Sequence, residues 1–174
     1  MAYTHSGWYI HTLLDGLLGV TETGTPTAIK ITQDANLYIS LHSSSGTDYA
    51  SELAYGAASP AWVATNEIVS SGGNWTSSGG VVLSTANAGG DVTTTATITG
   101  SGPYVLTYSW TALSVTNTTF TGVYGMIIYF HDITASVSKP MLLNICFGSS
   151  YNTVSGTFGI TPSGSGLSAI TLTA

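Results

Sequence analysis

The sequence predicts an all-β protein, a single antiparallel β-sandwich or jelly-roll domain with one short N-terminal amphipathic helix. Two apolar runs, at residues 123–132 and 141–148, have the length of central strands and are bounded by turn-forming residues. Further strand-like runs follow one another at roughly 10–15 residues, with Gly, Ser and Asn between them, which favours a sandwich over βαβ units. The 174 residues suit one domain, with an arm and helix at 1–20 and a β body at 21–174.

The composition is unusually poor in charge. Charged residues make up 6% of the chain, against about 25% in an ordinary soluble domain. There is no arginine, the lysines are Lys30 and Lys139, and the net charge is −6. We expect no nucleic-acid partner, because neutralising phosphates requires Lys and Arg. A surface of Ser, Thr, Asn and Gly can dock on another protein without desolvating many ions, which favours a place in an assembly.

The N-terminal helix is predicted over residues 8–18, where apolar residues recur at helical spacing. Ser6 is the expected N-cap and Gly19 the expected residue after the C-terminus. So short a helix is marginal alone and must pack on the sheet or on another subunit. It carries no Lys or Arg and no run approaches a membrane span, so we expect no membrane contact. Deleting residues 2–19 is expected to leave a folded β body.

The expected strands follow in chain order, and the strand at 37–42 shows the clearest alternation. Leu37, Ile39 and Leu41 point to one side of it and polar residues to the other, so it is predicted to be half-buried. A helical turn is expected at 49–55. The expected strands are residues 28–32, 37–42, 61–69, 81–84, 91–99, 104–110, 115–120 leading into 123–132, 141–147, 154–161 and 167–173.

Two single residues are of interest. Trp75 lies in a Gly/Ser-rich stretch, where it either folds back onto the body or contacts a neighbour. Cys146, the one cysteine, cannot form an internal disulfide and is expected to be a small buried hydrophobe. The candidate protein-interface residues are Trp8, Ile10, Leu13, Leu14, Leu17, Leu18 and Trp75.

Catalytic patterns are weak, so no catalytic, cofactor-binding or metal-binding residue is predicted. The spacing of His42, Asp48 and Glu52 matches no recognised metal site. His131-Asp132 is typical of a strand-end turn with local hydrogen bonds rather than a catalytic dyad. No serine lies in a Gly-x-Ser-x-Gly elbow. An aromatic set is compatible with sugar stacking, although we favour a core and subunit-interface role for it: Trp62, Trp75, Tyr104, Tyr108 and Trp110.

Six segments follow one another along the chain: LLDGLLG (13–19), LYISLHSS (37–44) followed by Glu52, YGMIIYFH (124–131), KPMLL (139–143), VSGTF (154–158) and GLSAITL (166–172). In this order they resemble a family of small all-β bacteriophage virion proteins, described as head-decoration, minor tail or tail-fibre-like proteins. A Gly-Tyr-Ala-Arg-like stretch of that family is replaced here by Ala54-Tyr55-Gly56 and Ala61-Trp62, with no Arg.

The resemblance implies a non-enzymatic virion protein. Together with the low charge, it leads us to expect a capsid decoration protein that stabilises the shell, with the major capsid protein or other virion proteins as partners and a homo-oligomer as the unit. A tail or tail-fibre protein that contacts the host through Trp75, and a carbohydrate-binding module, are the alternatives.

Overall fold

A computed structural model describes residues 6–9, 12, 37–44, 61–64, 67–72, 75, 81–82, 96–101, 105–110, 113–132, 138–160 and 168–171. Every strand pair in this part of the chain is antiparallel, so the all-β prediction is confirmed. The described strands are β1 (Gly7–Trp8), β2 (Leu37–Ser43), β3 (Glu67–Ile68), β4 (Val81–Val82), β5 (Ala96–Ser101), β6 (Val105–Trp110), β7 (Leu113–Phe130), β8 (Met141–Ile160) and β9 (Ser168–Thr171).

The strands form two sheets. In the larger, the order is β1-β8-β7-β2, and the far edge of β2 pairs with β3 near one end and with β4 near the other. The smaller sheet has the order β5-β6-β9. The strand predicted at 167–173 is therefore present as β9, and it pairs with β6.

The two apolar runs form the middle of the larger sheet, as predicted, inside strands longer than expected. Residues 126–130 of β7 are all buried, because the two faces of the strand contribute to two different cores. Met126, Ile128 and Phe130 join one core, whereas Ile127 and Tyr129 join the other. A strand covered on both faces is expected to be a continuous apolar run rather than an alternating one.

The β2 strand is confirmed, but its predicted half-burial is wrong. Leu37, Ile39 and Leu41 are buried, and Ser40 and His42 on the opposite face are buried as well. Polar residues on a strand usually indicate a solvent-facing side, but here that side lies against the second core. Ser40 Oγ lies 2.8 Å from His42 Nε2 and also accepts a hydrogen bond from the Trp62 indole.

Several predicted element bounds need correction. The strand expected at 61–69 is reduced to Glu67–Ile68, with Ala61 making an isolated bridge to Pro140. The strand expected at 91–99 is described at Ala96–Ser101. The expected strand at 28–32 and the expected helical turn at 49–55 lie outside the described residues.

The start of the predicted N-terminal helix differs in the structure. Gly7 and Trp8 form β1, paired with Asn144 and Leu143 of β8, so Trp8 belongs to a strand and not to a helix. Ser6 does not cap a helix at residue 7; its Oγ accepts a hydrogen bond from the backbone N–H of Cys146 (2.8 Å). Thr12 is helical, while Ile10, Leu13, Leu14, Leu17 and Leu18 lie outside the described residues.

The residues next to β1 are part of the body. Tyr9 is fully buried, and its backbone N–H donates to the Leu142 carbonyl (3.0 Å). Deleting residues 2–19 would remove this core side chain together with β1, so the expectation that such a deletion leaves the β body intact is withdrawn. Cys146 is half-buried rather than buried, which corrects that expectation too.

Candidate functional site: the outer part of the long hairpin

The β7–β8 hairpin has an outer part, made of residues 113–122 and 147–160, that we call the arm. Its ladder carries four register shifts between residues 115 and 125 of β7. One residue with positive φ lies at each shift: Asn117 (55°), Ser155 (46°), Gly122 (75°) and Gly148 (75°). Such bulges bend a strand and increase its twist, so the arm is not a flat extension of the sheet.

Polar side chains satisfy the backbone where the ladder is interrupted. The Thr153 hydroxyl accepts a hydrogen bond from the Phe120 N–H (3.0 Å), and the Asn152 side-chain oxygen accepts one from the Gly122 N–H (2.7 Å). The Thr119 hydroxyl accepts one from the Ser155 N–H (3.0 Å). The Thr and Asn residues that look like generic surface polars in the sequence therefore hold the bulged geometry, which makes the arm a preformed surface.

The arm exposes apolar side chains. Tyr151 is 51% exposed and Val154 is 82% exposed. Between Phe147 and Tyr151, whose rings meet edge-on at 5.8 Å, lies a groove of about 290 Å³. The described residues that line it are Phe147, Tyr151, Phe158, Gly159 and Ile160.

The groove has a rigid floor. Phe158 is 7% exposed and packs edge-on against Phe120 (5.3 Å) and Trp75 (6.2 Å). These rings belong to the larger core, so the groove is a surface opening onto well-packed apolar side chains. Exposed apolar area next to a core is typical of a protein-contact surface.

The arm contains no charged residue. The sequence has none from 92 to 131 or from 140 to 174. Within the part of the chain that the structure describes, Glu67, Asp132 and Lys139 are the Asp, Glu and Lys residues, and all three lie outside the arm. A partner can therefore cover the arm without desolvating an ion.

The distance between Ser40 Oγ and His42 Nε2 would suit a nucleophile and its general base, but neither side chain is accessible to a substrate. Ser40 is 0% and His42 1% exposed, and Trp62 lies over the pair with its Nε1–H donating to Ser40 Oγ at 2.8 Å. When the Ser40 hydroxyl donates to His42 Nε2, the Trp62 indole N–H and the Ser40 O–H each have an acceptor. An attacking hydroxyl must reach a substrate, so this arrangement is suited to structural hydrogen bonding.

An aromatic cluster covers the same face at the end of the sheet. Trp62 stacks on Tyr129 at 4.5 Å and 6°, and Tyr38 stacks on His131 at 4.3 Å. Lys139 Nζ lies 5.1 Å from the centre of the Trp62 ring. Burial raises the pKa of Tyr129 well above its usual range, and Glu67 adds to the effect.

His131 and Asp132 form the local contact that the sequence predicts. His131 Nδ1 and Asp132 Oδ1 are 2.6 Å apart at the bend that follows β7. Their side chains are 29% and 65% exposed, so the pair is largely open to solvent.

Trp75 lies in the larger core and not at the surface. It is 1% exposed, and its ring meets Phe120 edge-on at 5.6 Å. The Ser70 N–H donates to the Trp75 carbonyl at 2.7 Å, which closes the turn that folds the tryptophan back. A side chain buried within its own chain has no area left for a partner, so we no longer place Trp75 in an interface.

The other predicted residues are distributed differently. Trp8 is half-buried and packs against the larger core. Trp62 is buried at 8% exposure, Tyr104 lies outside the described residues, and the side chains of Tyr108 and Trp110 are not described.

The possible metal ligands are not brought together. His42 is buried, while Asp48 and Glu52 lie outside the described residues. No group of three or more His, Cys, Asp or Glu residues is close enough to hold a metal ion in the described part of the chain. Within the same residues, no helix is long and apolar enough to cross a membrane.

Sequence reasoning missed the groove. The predicted strand 141–147 ends at Phe147, and no strand is predicted over Tyr151, because residues 149–153 are Ser, Tyr, Asn and Thr; in the structure β8 continues through them. The signal that could have found it is the recurrence of isolated apolar residues, Tyr151, Val154 and Phe158, in a stretch without charge. Comparison of the chain with protein-family models, with curated proteins and with solved structures finds no match.

Proposed function

We propose that the chain is a non-enzymatic structural protein of a bacteriophage virion, and that it binds the outside of the capsid as a decoration protein. The observation that carries this proposal is the arm: a preformed, charge-free surface with exposed Tyr151 and Val154. Surfaces of this kind are used for protein contact, and a decoration protein needs many modest contacts and no chemistry. The major capsid protein is the proposed partner on the shell.

Two surfaces are proposed to contact the shell: the arm, and residues 10–18 on the amphipathic pattern of their sequence. The test must spare Tyr9 and β1, which belong to the folded body, so point variants replace the deletion. Leu14→Asp with Leu17→Asp places two charges on the apolar side of the pattern. Val63→Glu, at an exposed position outside this segment, is the control for added charge.

The proposed location is tested with gold-labelled antibody on intact particles of the source phage. Label spread over the head supports decoration, and purified protein should then rebind stripped heads while the double Leu variant should not. Label confined to the tail overturns decoration in favour of the tail or tail-fibre alternative. Label on no particle overturns every virion assignment.

Two further points are part of the proposal. The two antiparallel sheets are proposed as the two layers of a sandwich or jelly roll, and an experimental structure with the sheets side by side would contradict this. A serine-directed fluorophosphonate should leave Ser40 unlabelled in the folded protein, because Ser40 is enclosed; rapid labelling would revive an enzymatic role.

The carbohydrate-binding alternative receives less support. Sugar stacking needs an exposed, flat aromatic face; among the residues whose side-chain burial the structure describes, Tyr151 is the exposed aromatic, and its ring is set at 88° to Phe147. A glycan array with no signal is the expected result.

A further inference from the structure

We propose that the enclosed contact between Ser40 and His42 is an acid-sensitive device: protonation of His42 releases Trp62 and its neighbours, residues 61–64, from the second core. The proposal concerns a conformational change within this chain, and it holds or fails independently of any place in a virion. It follows from the direction of two hydrogen bonds, the burial of His42 and the way in which residues 61–64 are attached.

The hydrogen bonds of Ser40 are best satisfied when His42 is neutral. The Trp62 indole N–H can only donate, so Ser40 Oγ is its acceptor at 2.8 Å. The Ser40 hydroxyl can then donate to His42 Nε2, also at 2.8 Å, provided that this nitrogen carries no proton. A protonated ring is a donor at both nitrogens, so Ser40 would lose the acceptor of its own O–H.

The position of His42 also disfavours its charged form. The side chain is 1% exposed, and Ser40 and Trp62 beside it are 0% and 8% exposed. Enclosure of this kind removes the water that stabilises an imidazolium. An exposed histidine takes up its proton near about pH 6.5, so the closed arrangement is fully favoured above that pH and loses stability as the pH falls below it.

The groups that face His42 from the neighbouring strands include one carboxylate among the described residues. On β7 the register partner of His42 is Gly125, and farther along the same face Tyr129 is a neutral phenol, because burial raises its pKa. On β3 the register partner is Glu67. Glu67 is half-buried, so solvent screens its charge. It reduces the cost of a charge on His42, but an opposite charge shifts protonation less than full burial does.

The other titratable groups at this end of the sheet lie farther from His42. Lys139 is placed over the indole of Trp62, where its positive charge does not favour a second one nearby. His131 stacks on Tyr38 and is paired with Asp132 at 2.6 Å. His131 titrates in the same range of pH, but it has no described contact with Ser40 or Trp62, so it serves as a control.

Residues 61–64 can leave the second core without unfolding of the larger sheet. Their described backbone contacts with residues 139–140 are an isolated bridge from Ala61 to Pro140 and a hydrogen bond from the Trp62 N–H to the Lys139 carbonyl (2.9 Å). The other three residues of the segment are exposed, so the indole, stacked on Tyr129, is the main attachment. The larger core does not include Trp62, and local openings of this kind cost less than global unfolding.

The experiment is an acid titration of the full chain from about pH 7.5 to about pH 4, followed by tryptophan emission and far-UV circular dichroism. His42→Gln is the test variant, because the Gln amide can still accept from Ser40 but takes up no proton in this range. His131→Gln is the matched control, since the His131 side chain is partly open to solvent. Trp62→Phe identifies the indole that reports the change.

The expected result for the native chain and for His131→Gln is a shift of emission to longer wavelength, with a midpoint below about pH 6.5 and with native circular dichroism. Below about pH 6.5 the ratio of released to closed protein should rise by up to about tenfold per pH unit. The shift should be absent from His42→Gln and from Trp62→Phe. A native chain without the shift overturns the proposal, as does a shift that His42→Gln retains. Simultaneous loss of circular dichroism also overturns it, because that would report unfolding and not release.

A second measurement keeps the proposal testable if His42→Gln does not fold. The nitrogen chemical shifts of the His42 ring in the native chain should show an unprotonated Nε2 at neutral pH. Protonation of the ring should then follow the same pH dependence as the change in tryptophan emission. A His42 ring that is charged at neutral pH, or that takes up its proton without a change in emission, overturns the proposal.

Discussion

Replacing Ser40 by alanine tests whether the enclosed polar contacts on β2 are structural. The Ser40 hydroxyl is bonded to Trp62 Nε1 and to His42 Nε2, both at 2.8 Å, and the three residues are between 0% and 8% exposed. Ser40→Ala leaves both groups without this partner and gives no route for water to replace it. A buried polar group that loses a hydrogen-bond partner costs about 1–3 kcal/mol, so we expect a loss of about 2–6 kcal/mol for the two.

The assay is equilibrium urea unfolding followed by tryptophan fluorescence and by circular dichroism. Ser150→Ala, at an exposed serine of β8, is the matched control and should stay within about 0.5 kcal/mol of the native chain. Trp62→Phe keeps an aromatic ring over Tyr129 and removes the indole donor.

The double variant separates the hydrogen bond from other effects of the two substitutions. Combining Ser40→Ala with Trp62→Phe should cost about 1 kcal/mol less than the sum of the single changes, because the donor and acceptor disappear together. The reasoning is refuted if Ser40→Ala costs less than about 0.5 kcal/mol, or if the two costs simply add.

Two further predictions concern pH and backbone geometry. Because burial raises the pKa of Tyr129, the folded state holds its phenol neutral, and the contribution is fully present below the unfolded value of about 10. The free energy of unfolding should therefore fall by about 1.4 kcal/mol per pH unit above that value. Urea titrations at pH 9–11 should show a shallower fall for Tyr129→Phe than for the control variant Tyr151→Phe. Gly148→Ala should lower the free energy of unfolding by about 1–2 kcal/mol, and only through its positive φ, because the added Cβ would meet no atom within 4 Å. Gly156 has no positive φ, so Gly156→Ala should lower the free energy of unfolding by less in the same assay.

Much of the strand content follows from local pattern. Continuous apolar runs identified the middle of β7 and the start of β8, and alternation identified β2, because strand periodicity is a property of neighbouring residues. The absence of charged residues from the arm is also evident from the sequence alone. These features need no knowledge of what packs against what.

Other features depend on contacts between residues far apart in the chain. Nothing local to Ser40 and His42 indicates that Trp62 covers them, and nothing local to Trp75 indicates that Phe120 and Phe158 receive it. The local sequence around a polar or isolated residue is the same whether its side chain faces solvent or a second core.

The N-terminus and the arm show the same division. A helical apolar pattern begins near Trp8, yet the edge of β8 is available and takes Gly7 and Trp8 as a strand. The bulges at Asn117 and Ser155 are shifts in the pairing register of β7 and β8, so they exist only when the two strands are paired. The sequence by itself determined the strand-forming runs and the near-absence of charge. Only the tertiary structure decided which faces are covered and where the apolar groove opens, because burial and register are set by pairing across the chain.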